Sequence, residues 1–288
     1  MKTTPLTPYA RLPRAYREMP VIAGTVDAYG RAHWLLGEAG GRTGEGPYDA
    51  VMVTVDEGRT EETVLSAVRP RRPMIDALPD GGFVLAAGRS RPDEQHVQVF
   101  DALGKPSWTF RVGDGIEHLL ADEAGDLWVG YFDEGVYGDD PLSRPGLRRW
   151  SGTGEPQWAY APPAGNQYIW DVYSLNVDGD AAWSTPYGAG PLLEVRGEEV
   201  RVRSAPVRMA TALAVHGDQV VFLSGSGKPA DLLTYGRLTD TSVEPLMERR
   251  LVRPDERDVG RCQTVCRGSR IFLRHASAVD WEVLDLAG

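Results

Sequence analysis

The sequence predicts an all-β protein that is built from short strands in repeated units. Three observations lead to this prediction. The 288 residues include 33 glycines and 21 prolines, so turn residues recur every few positions and long helical patterns are few. A glycine motif recurs six times along the chain, and the strand that follows it at Leu127–Phe132 lacks the polar alternation of an exposed strand.

The repeat consists of a tight turn with glycine, followed by an apolar strand. The segment "ADEAGDLWVG" aligns with "DAYGRAHWLL", "LPDGGFVLAA", "NVDGDAAWST", "AVHGDQVVFL" and "VCRGSRIFLR". The aligned glycines are Gly30, Gly81, Gly125, Gly179, Gly217 and Gly268. A second match supports the same period, since "FDALGKPSWTF" and "WSGTGEPQWAY" share Gly, Pro and Trp. Six units of about fifty residues therefore fill the chain.

Each unit reads as four strands, the first two joined by the glycine turn. Because the strand at Leu127–Phe132 is apolar on both faces, other sheets should cover both sides of it. Four-stranded sheets that pack face to face are the blades of a β-propeller. We therefore predict one domain, 1–288, folded as a six-bladed β-propeller with four-stranded antiparallel blades. The chain ends on a third strand, "WEVLDLAG", so the segment around Arg11–Tyr16 is expected to supply the outer strand that closes the ring.

The quoted motifs resemble those of known propeller families. "ADEAGDLWVG" is similar to the Asp-x-x-Gly-x-Leu-Trp-x-Gly repeat of NHL and regulator-type propellers. "GYFDEGV", with the later "YSLNV", resembles a group of actinobacterial propeller proteins. The resemblance is clearest in the middle repeats. It implies the fold and not an activity, because propellers host hydrolases, lyases, lectins and scaffolds alike.

Composition argues against several partners. Lys and Arg number 31 against 41 Asp and Glu, and the cations form no cluster, so nucleic acid is not expected as a partner. The start has no apolar signal core and no long apolar run follows, so we expect a cytoplasmic protein without membrane contact. Cys262 and Cys266 would lie about 13 Å apart on one strand, which predicts two reduced and mostly buried thiols.

Candidate site residues come from the loops that enter each inner strand, which meet on one face of a propeller. A gap-free alignment on the glycines puts unequal residues there, which suggests one asymmetric ligand at the central channel. The polar candidates are Glu117, His118 and Asp171 for catalysis, and Arg72, Arg208 and Arg261 for binding an anionic substrate. The alternative is a network in which these carboxylates and arginines only neutralise one another.

A second group of candidates comes from the loop "YFDEGVYGDDPLSRPG" and from aromatic residues. Asp133 is expected to cap the turn around Gly135, whereas Glu134 could reach a ligand. Trp170, Tyr173 and Tyr131 could line a pocket for an apolar or cyclic substrate, unless blade packing buries them.

Three functions remain open from the sequence. The favoured one is a metal-independent enzyme of the lyase or cyclase type, resembling strictosidine synthase, which acts on a carboxylate-bearing metabolite and needs no cofactor. The first alternative resembles the six-bladed lactonases, with a divalent metal in the channel held by Glu117, Asp171 and Asn176. It is disfavoured because nearby arginines would oppose a cation. The second is a binding module that recognises a small molecule or a protein without changing any bond.

Overall fold

The computed structural model describes residues 1–37, 46–179, 181–187, 190–225, 227–275 and 279–288. Contacts within the chain divide it into two compact units. The middle unit is Ala10–Tyr160, and the terminal unit combines Met1–Tyr9 with Ala161–Gly288. Strands make up 53% of the structure and helices 3%, which confirms the all-β prediction.

The chain begins with two short strands and a single helical turn. The strands are β1 (Thr3–Pro5) and β2 (Thr7–Ala10), and a 3-10 helix follows at Arg14–Tyr16.

The middle unit contains three antiparallel sheets of four strands, each arranged in chain order. The first sheet holds β3 (Val21–Val26), β4 (Ala32–Leu36), β5 (Tyr48–Asp56) and β6 (Arg59–Val68). The second holds β7 (Pro73–Ala77), β8 (Phe83–Ala87), β9 (Val97–Phe100) and β10 (Pro106–Phe110). The third holds β11 (Ile116–Ala121), β12 (Leu127–Tyr131), β13 (Leu147–Trp150) and β14 (Pro156–Ala159), with helix α1 (Asp133–Val136) after β12.

The terminal unit contains a five-stranded and an eight-stranded sheet. Its strands are β15 (Val172–Asp178), β16 (Ala181–Pro186), β17 (Pro191–Arg196), β18 (Glu199–Ser204), β19 (Ala212–His216), β20 (Gln219–Leu223), β21 (Leu232–Leu238), β22 (Val243–Val252), β23 (Cys262–Arg267), β24 (Arg270–His275) and β25 (Trp281–Asp285). The eight-stranded sheet runs from β18 back to β15 and then from β23 through β25 to β2. Its two halves are joined by one parallel pair, Asn176 with Cys266.

The N-terminal strands extend both sheets of the terminal unit. β2 is the outer neighbour of β25, and β1 pairs in parallel with β22. The expectation that Arg11–Tyr16 supplies the outer strand is therefore wrong by a few residues. Pro13 has no N–H for a ladder, and its carbonyl instead accepts the N–H of Tyr16 in the 3-10 turn.

The glycine repeat marks the connection between the first and second strand in all six strand runs. Each glycine has a positive φ and lies between the first and second strand of its run. The second strand begins two residues later in every case, at Ala32, Phe83, Leu127, Ala181, Gln219 and Arg270. The alignment of the second strands is therefore confirmed.

Upstream of the glycines the gap-free alignment is wrong by three residues in the terminal unit. The residues that pair with those second-strand starts are Val26, Ala77 and Ala121 in the middle unit, and Asp178, His216 and Arg267 in the terminal unit. The three residues of the middle unit lie four positions before the glycine. The three residues of the terminal unit lie one position before it. The middle-unit turns are longer because an extra backbone bond closes them, as between the Asp122 N–H and the Asp126 carbonyl.

Consecutive strand runs pack face to face within each unit. In the middle unit, Leu35 and Met52 of the first sheet share a core with Phe83 and Phe100 of the second. All residues of β12 are buried, as its unbroken apolar sequence predicts. The corresponding clusters of the terminal unit join the runs β15–β18, β19–β22 and β23–β25.

Buried polar side chains connect the first strands of neighbouring runs. Asn176 of β15 is fully buried, and its Nδ2 donates to the carbonyls of Leu213 in β19 and Gly268 after β23, both at 2.9 Å. Its Oδ1 accepts the Gly268 N–H at 2.7 Å. In the middle unit, the Asp76 carboxylate of β7 accepts the Ala121 N–H of β11 at 2.6 Å.

The described helices are each a single turn long. No helix in the described ranges has the length and apolar character that crossing a lipid bilayer requires.

We expect Asn176→Ala to lower the free energy of unfolding by about 2–4 kcal/mol, because it leaves buried backbone groups without their partner. Urea unfolding followed by tryptophan fluorescence measures the change. The matched control is Asn166→Ala, since Asn166 is exposed and its side-chain Nδ2 reaches the Ala164 carbonyl only at a long 3.5 Å. Equal stability of both variants would contradict a structural role for Asn176.

Candidate functional site

The candidates of the middle unit lie at the starts of two neighbouring first strands. Glu117 is the second residue of β11, at a bulge between the pairs Ile116–Tyr131 and His118–Gly130. Its side chain is exposed, whereas His118 is half-buried. Arg72 directly precedes β7, is exposed, and has no ion pair among the described residues.

Three aromatic rings of the terminal unit lie together where β15 begins and β16 ends. The Trp170 and Tyr187 rings stack with centroids 6.1 Å apart and planes inclined by 22°. Tyr173 lies 6.4 Å from Tyr187 at 30°. Trp170 and Tyr187 are 42% and 44% exposed, so this aromatic cluster (Trp170, Tyr173 and Tyr187) presents ring surface to solvent.

The aromatic cluster also fixes the position of Asp171. The carbonyl of Asp171 accepts the N–H of Tyr187 at 2.8 Å, which ties the entry of β15 to the exit of β16. The structure thus brings three of the predicted residues together, Trp170, Asp171 and Tyr173. Tyr173 occupies the bulge of β15 that corresponds to the bulge of β11 at Glu117, so Glu117 and Asp171 are not at equivalent positions.

Arg208 lies beside Gly190, the residue directly before β17. A Cβ placed on Gly190 would come within 2.9 Å of Arg208 Cγ, and Gly190 has a φ of +85°, so only glycine allows this approach. The Arg208 side chain is exposed. Arg261, next to the start of β23, is exposed as well. Neither arginine has an ion pair within the described ranges, so the salt-bridge network considered from the sequence is not observed there.

Two predicted site residues are structural. Tyr131 is fully buried in the core, its hydroxyl donates to the Val112 carbonyl, and burial raises its pKa. It presents no surface to a substrate, which corrects the proposed substrate-binding role. Asn176 is buried and its amide is engaged with backbone groups, so the metal alternative lacks one of its three oxygen ligands.

Asp133 and Glu134 begin the short helix α1 instead of ending a strand. The Asp133 carboxylate accepts the Glu134 N–H at 2.7 Å, but the N-cap residue of α1 is Phe132 and no side chain caps the helix, so Asp133 does not cap it as expected. Glu134 is 66% exposed and pairs with Arg89, which also binds Asp114 at 3.1 Å. Glu134 is therefore held in an exposed ion pair, and such pairs contribute at most about 1 kcal/mol.

A hydrogen-bonded chain with the order of a hydrolase triad lies in the first sheet. Thr54 Oγ1 is 2.9 Å from His33 Nδ1, and His33 Nε2 is 2.9 Å from Asp27 Oδ2. All three side chains are buried, so no substrate can reach the hydroxyl. Burial alone would raise the pKa of Asp27, but His33 and Arg31 outweigh it and lower the pKa. These three hydrogen-bonded side chains therefore stabilise the turn that begins at Asp27 and are not a catalytic group.

The cysteines are free thiols on β23. Burial raises the pKa of Cys262 to about 11 and that of Cys266 to about 12, so neither is a reactive thiolate at neutral pH. His275, which pairs across the ladder with Cys262, is held by Glu282 at 2.9 Å. Throughout the described part of the chain, no group of three or more His, Cys, Asp or Glu side chains is arranged to hold a metal ion.

Comparison with solved structures identifies the class of fold as β-propeller-like. The chain is similar to a structure in the nidogen/laminin complex, with a TM-score of 0.50 and 10% identity over 81% of both chains. A chain of the mitotic checkpoint complex matches with a TM-score of 0.53 and 10% identity, over 96% of this chain and 77% of that one.

A third similar structure is a protein from Bacteroides uniformis described as a 6-phosphogluconolactonase. Its TM-score is 0.52 at 10% identity, over 88% of this chain and 78% of that one. No protein-family model matches the chain, and no curated protein matches it. At these identities the likeness establishes the fold alone.

We expect the stability contribution of Asp27 to depend on pH. Its pKa in the folded chain is lowered below the ordinary 3.8, so its contribution is present above that value and is lost as pH falls through the folded pKa. Asp27→Asn should therefore lower stability by about 1–3 kcal/mol at neutral pH, and the difference from wild type should narrow as pH falls below about 4.

Urea unfolding of wild type and variant over a pH series measures this difference. Asp56→Asn changes an exposed carboxylate of the same sheet and serves as the control, with little change expected. A difference between wild type and Asp27→Asn that stays constant from neutral to acidic pH would contradict the assigned ionisation.

Proposed function

We propose that the six strand runs form the blades of a single six-bladed propeller, with β2 as the outer strand of the last blade. Six turn glycines that each lie two residues before a second strand support the proposal, as does the place of β2 beside β25. The likeness to propeller-like structures supports the same class of fold.

On this scaffold we propose a binding site for a small anionic molecule with a flat or cyclic body. The aromatic cluster carries this proposal, because large aromatic side chains are normally buried and here expose ring faces side by side. A ring of the ligand would stack on Trp170 or Tyr187. Arg208 lies beside Gly190 at the start of β17 and has no ion pair in the described chain, so it is available for a carboxylate or phosphate.

The chemistry proposed at this site is metal-independent proton transfer of the lyase or cyclase type. Asp171 is the candidate acid or base that follows Trp170 in the chain, and its carbonyl accepts the N–H of Tyr187 of the cluster. Glu117 and His118 remain candidates on the separate ground of their position in β11. A binding module without turnover is the second candidate, and the same aromatic cluster would serve it.

The binding proposal is tested by isothermal titration calorimetry with benzoate and glucose 6-phosphate, each compared with its uncharged counterpart, benzamide or glucose. We expect wild type to prefer at least one of the two anions. Arg208→Gln should weaken the anion by about tenfold or more and remove the preference over the uncharged counterpart. Trp170→Ala should weaken the binding of both the anion and its uncharged counterpart, since it removes the stacking surface.

Trp108→Ala is the matched control, because Trp108 is 41% exposed, close to the 42% of Trp170, and lies in the middle unit on β10. It should bind as wild type does. Loss of binding to the same extent in both tryptophan variants, or no preference for either anion in wild type, would contradict the proposed site.

Turnover separates the enzyme from the binding module. Nuclear magnetic resonance of a bound ligand incubated with wild type should show a product if the site is catalytic. Glu117→Gln, His118→Ala or Asp171→Asn should then abolish the product in at least one case with a nearly unchanged melting temperature. A ligand that binds and stays intact identifies a binding module.

A further inference from the structure

A cavity of about 390 Å³ lies in the middle unit, and its lining includes none of the candidate site residues described above. It is placed where β6 leads into β7 and where the connection from β8 enters β9. The lining residues are Arg69, Pro70, Ala87, Glu94, Gln95, His96 and Gln98. The volume falls within the range of small-molecule sites, about 300–1,000 Å³.

The backbone that carries Arg69 is held by buried hydrogen bonds. Gln98 is 2% exposed, its Oε1 accepts the Arg69 N–H at 2.9 Å, and its Nε2 donates to the Ala67 carbonyl at 3.0 Å. Ala67 has a φ of 54°, and its N–H donates to Asp49 at 2.9 Å. A non-glycine residue in this conformation is strained, and the bonds on both sides stabilise it. Arg69 is therefore fixed at the cavity by its main chain.

The charges at the cavity do not neutralise each other. The Arg69 side chain is exposed and has no ion pair among the described residues. The Glu94 carboxylate accepts only the backbone N–H of Arg91, at 3.3 Å, within that part of the chain. A guanidinium and a carboxylate that line one cavity without pairing are both available to a bound molecule.

Two further polar groups of the lining are available for hydrogen bonding. Gln95 accepts a hydrogen bond from Thr109 at 2.5 Å through Oε1, and its amide N–H groups have no partner in the described chain. His96 is 3% exposed, and its Nε2 is buried without a partner, while Nδ1 lies 3.4 Å from the Glu94 carbonyl. Burial lowers the pKa of His96, and Arg111 lowers it further, so the ring is neutral. An unpaired buried nitrogen is unfavourable, which is typical of a site that a ligand completes.

We propose that this cavity binds a small zwitterion of the α-amino acid class. Arg69 would bind the carboxylate, Glu94 the ammonium group, and Gln95 and His96 the polar part of the side chain. A ligand with only a negative charge would be repelled by Glu94. A ligand with only a positive charge would be repelled by Arg69. Only a ligand that carries both charges matches both groups.

The proposal is tested by calorimetric titration of the full chain with each of the common L-α-amino acids. For any that binds, the N-acetyl derivative removes the positive charge and the carboxamide removes the negative charge. We expect at least one amino acid to bind with a Kd below about 1 mM, and both derivatives to bind about tenfold weaker or worse.

The variants assign each charge to its partner. Arg69→Gln should bind the amino acid and its carboxamide equally, and Glu94→Gln should bind the amino acid and its N-acetyl derivative equally. The matched controls are Arg144→Gln and Glu155→Gln, which are exposed residues of the same unit outside the cavity lining and should bind as wild type does. Melting temperatures confirm that the variants are folded.

Three outcomes would overturn the proposal: no amino acid binds, an N-acetyl derivative or carboxamide binds as well as its parent, or both cavity variants bind as wild type does. The test is independent of the proposed function. Trp170→Ala should keep amino acid binding, and Arg69→Gln should keep the anion preference assigned to Arg208.

Discussion

The terminal unit depends on the hydrogen bonds of one buried amide. Asn176 belongs to β15, and its side chain bonds to the backbone of β19 and of the turn after β23. One side chain therefore sets the relative register of three first strands. Apolar packing cannot do this, because it tolerates sliding along a strand. A buried amide does not, since a shift would leave its donors and acceptors unpaired. Tyr173 of the aromatic cluster lies three residues earlier on the same strand.

Turn length determines which candidate site residues occupy equivalent positions in their strands. The middle unit uses turns in which an extra backbone bond closes the loop, and the terminal unit uses two-residue turns at the corresponding glycines. Both keep a positive φ at glycine, so the sequences look alike around it. The different lengths move the first strand by three residues relative to the glycine. Residues that share a distance from the glycine therefore occupy different structural positions, as Glu117 and Asp171 do.

Polar groups without partners distinguish the proposed binding surfaces from the structural networks. Asp27, His33 and Thr54 are hydrogen-bonded in the order of a hydrolase triad. Their polar groups bond with one another and are shielded from solvent. Arg208 and Arg69 are charged and unpaired within the described residues, and His96 carries a buried nitrogen without a bond. The buried His96 nitrogen is unfavourable without a bond, so a ligand that bonds to it gains binding free energy, whereas the two exposed arginines are solvated and offer their charge to an anion.

The sequence by itself determined the all-β class, the sixfold glycine repeat and the buried strand at Leu127–Tyr131, because turn chemistry and apolar runs act locally. It also suggested Trp170 and Tyr173 among the aromatic residues that could line a pocket. Only the tertiary structure decided that Tyr131 lies in the core, that Asn176 bonds to backbone, and that Arg69 and His96 line one cavity. Those facts depend on turn lengths and on contacts between distant strands. A residue's own neighbours in the chain do not specify which distant strand it will contact.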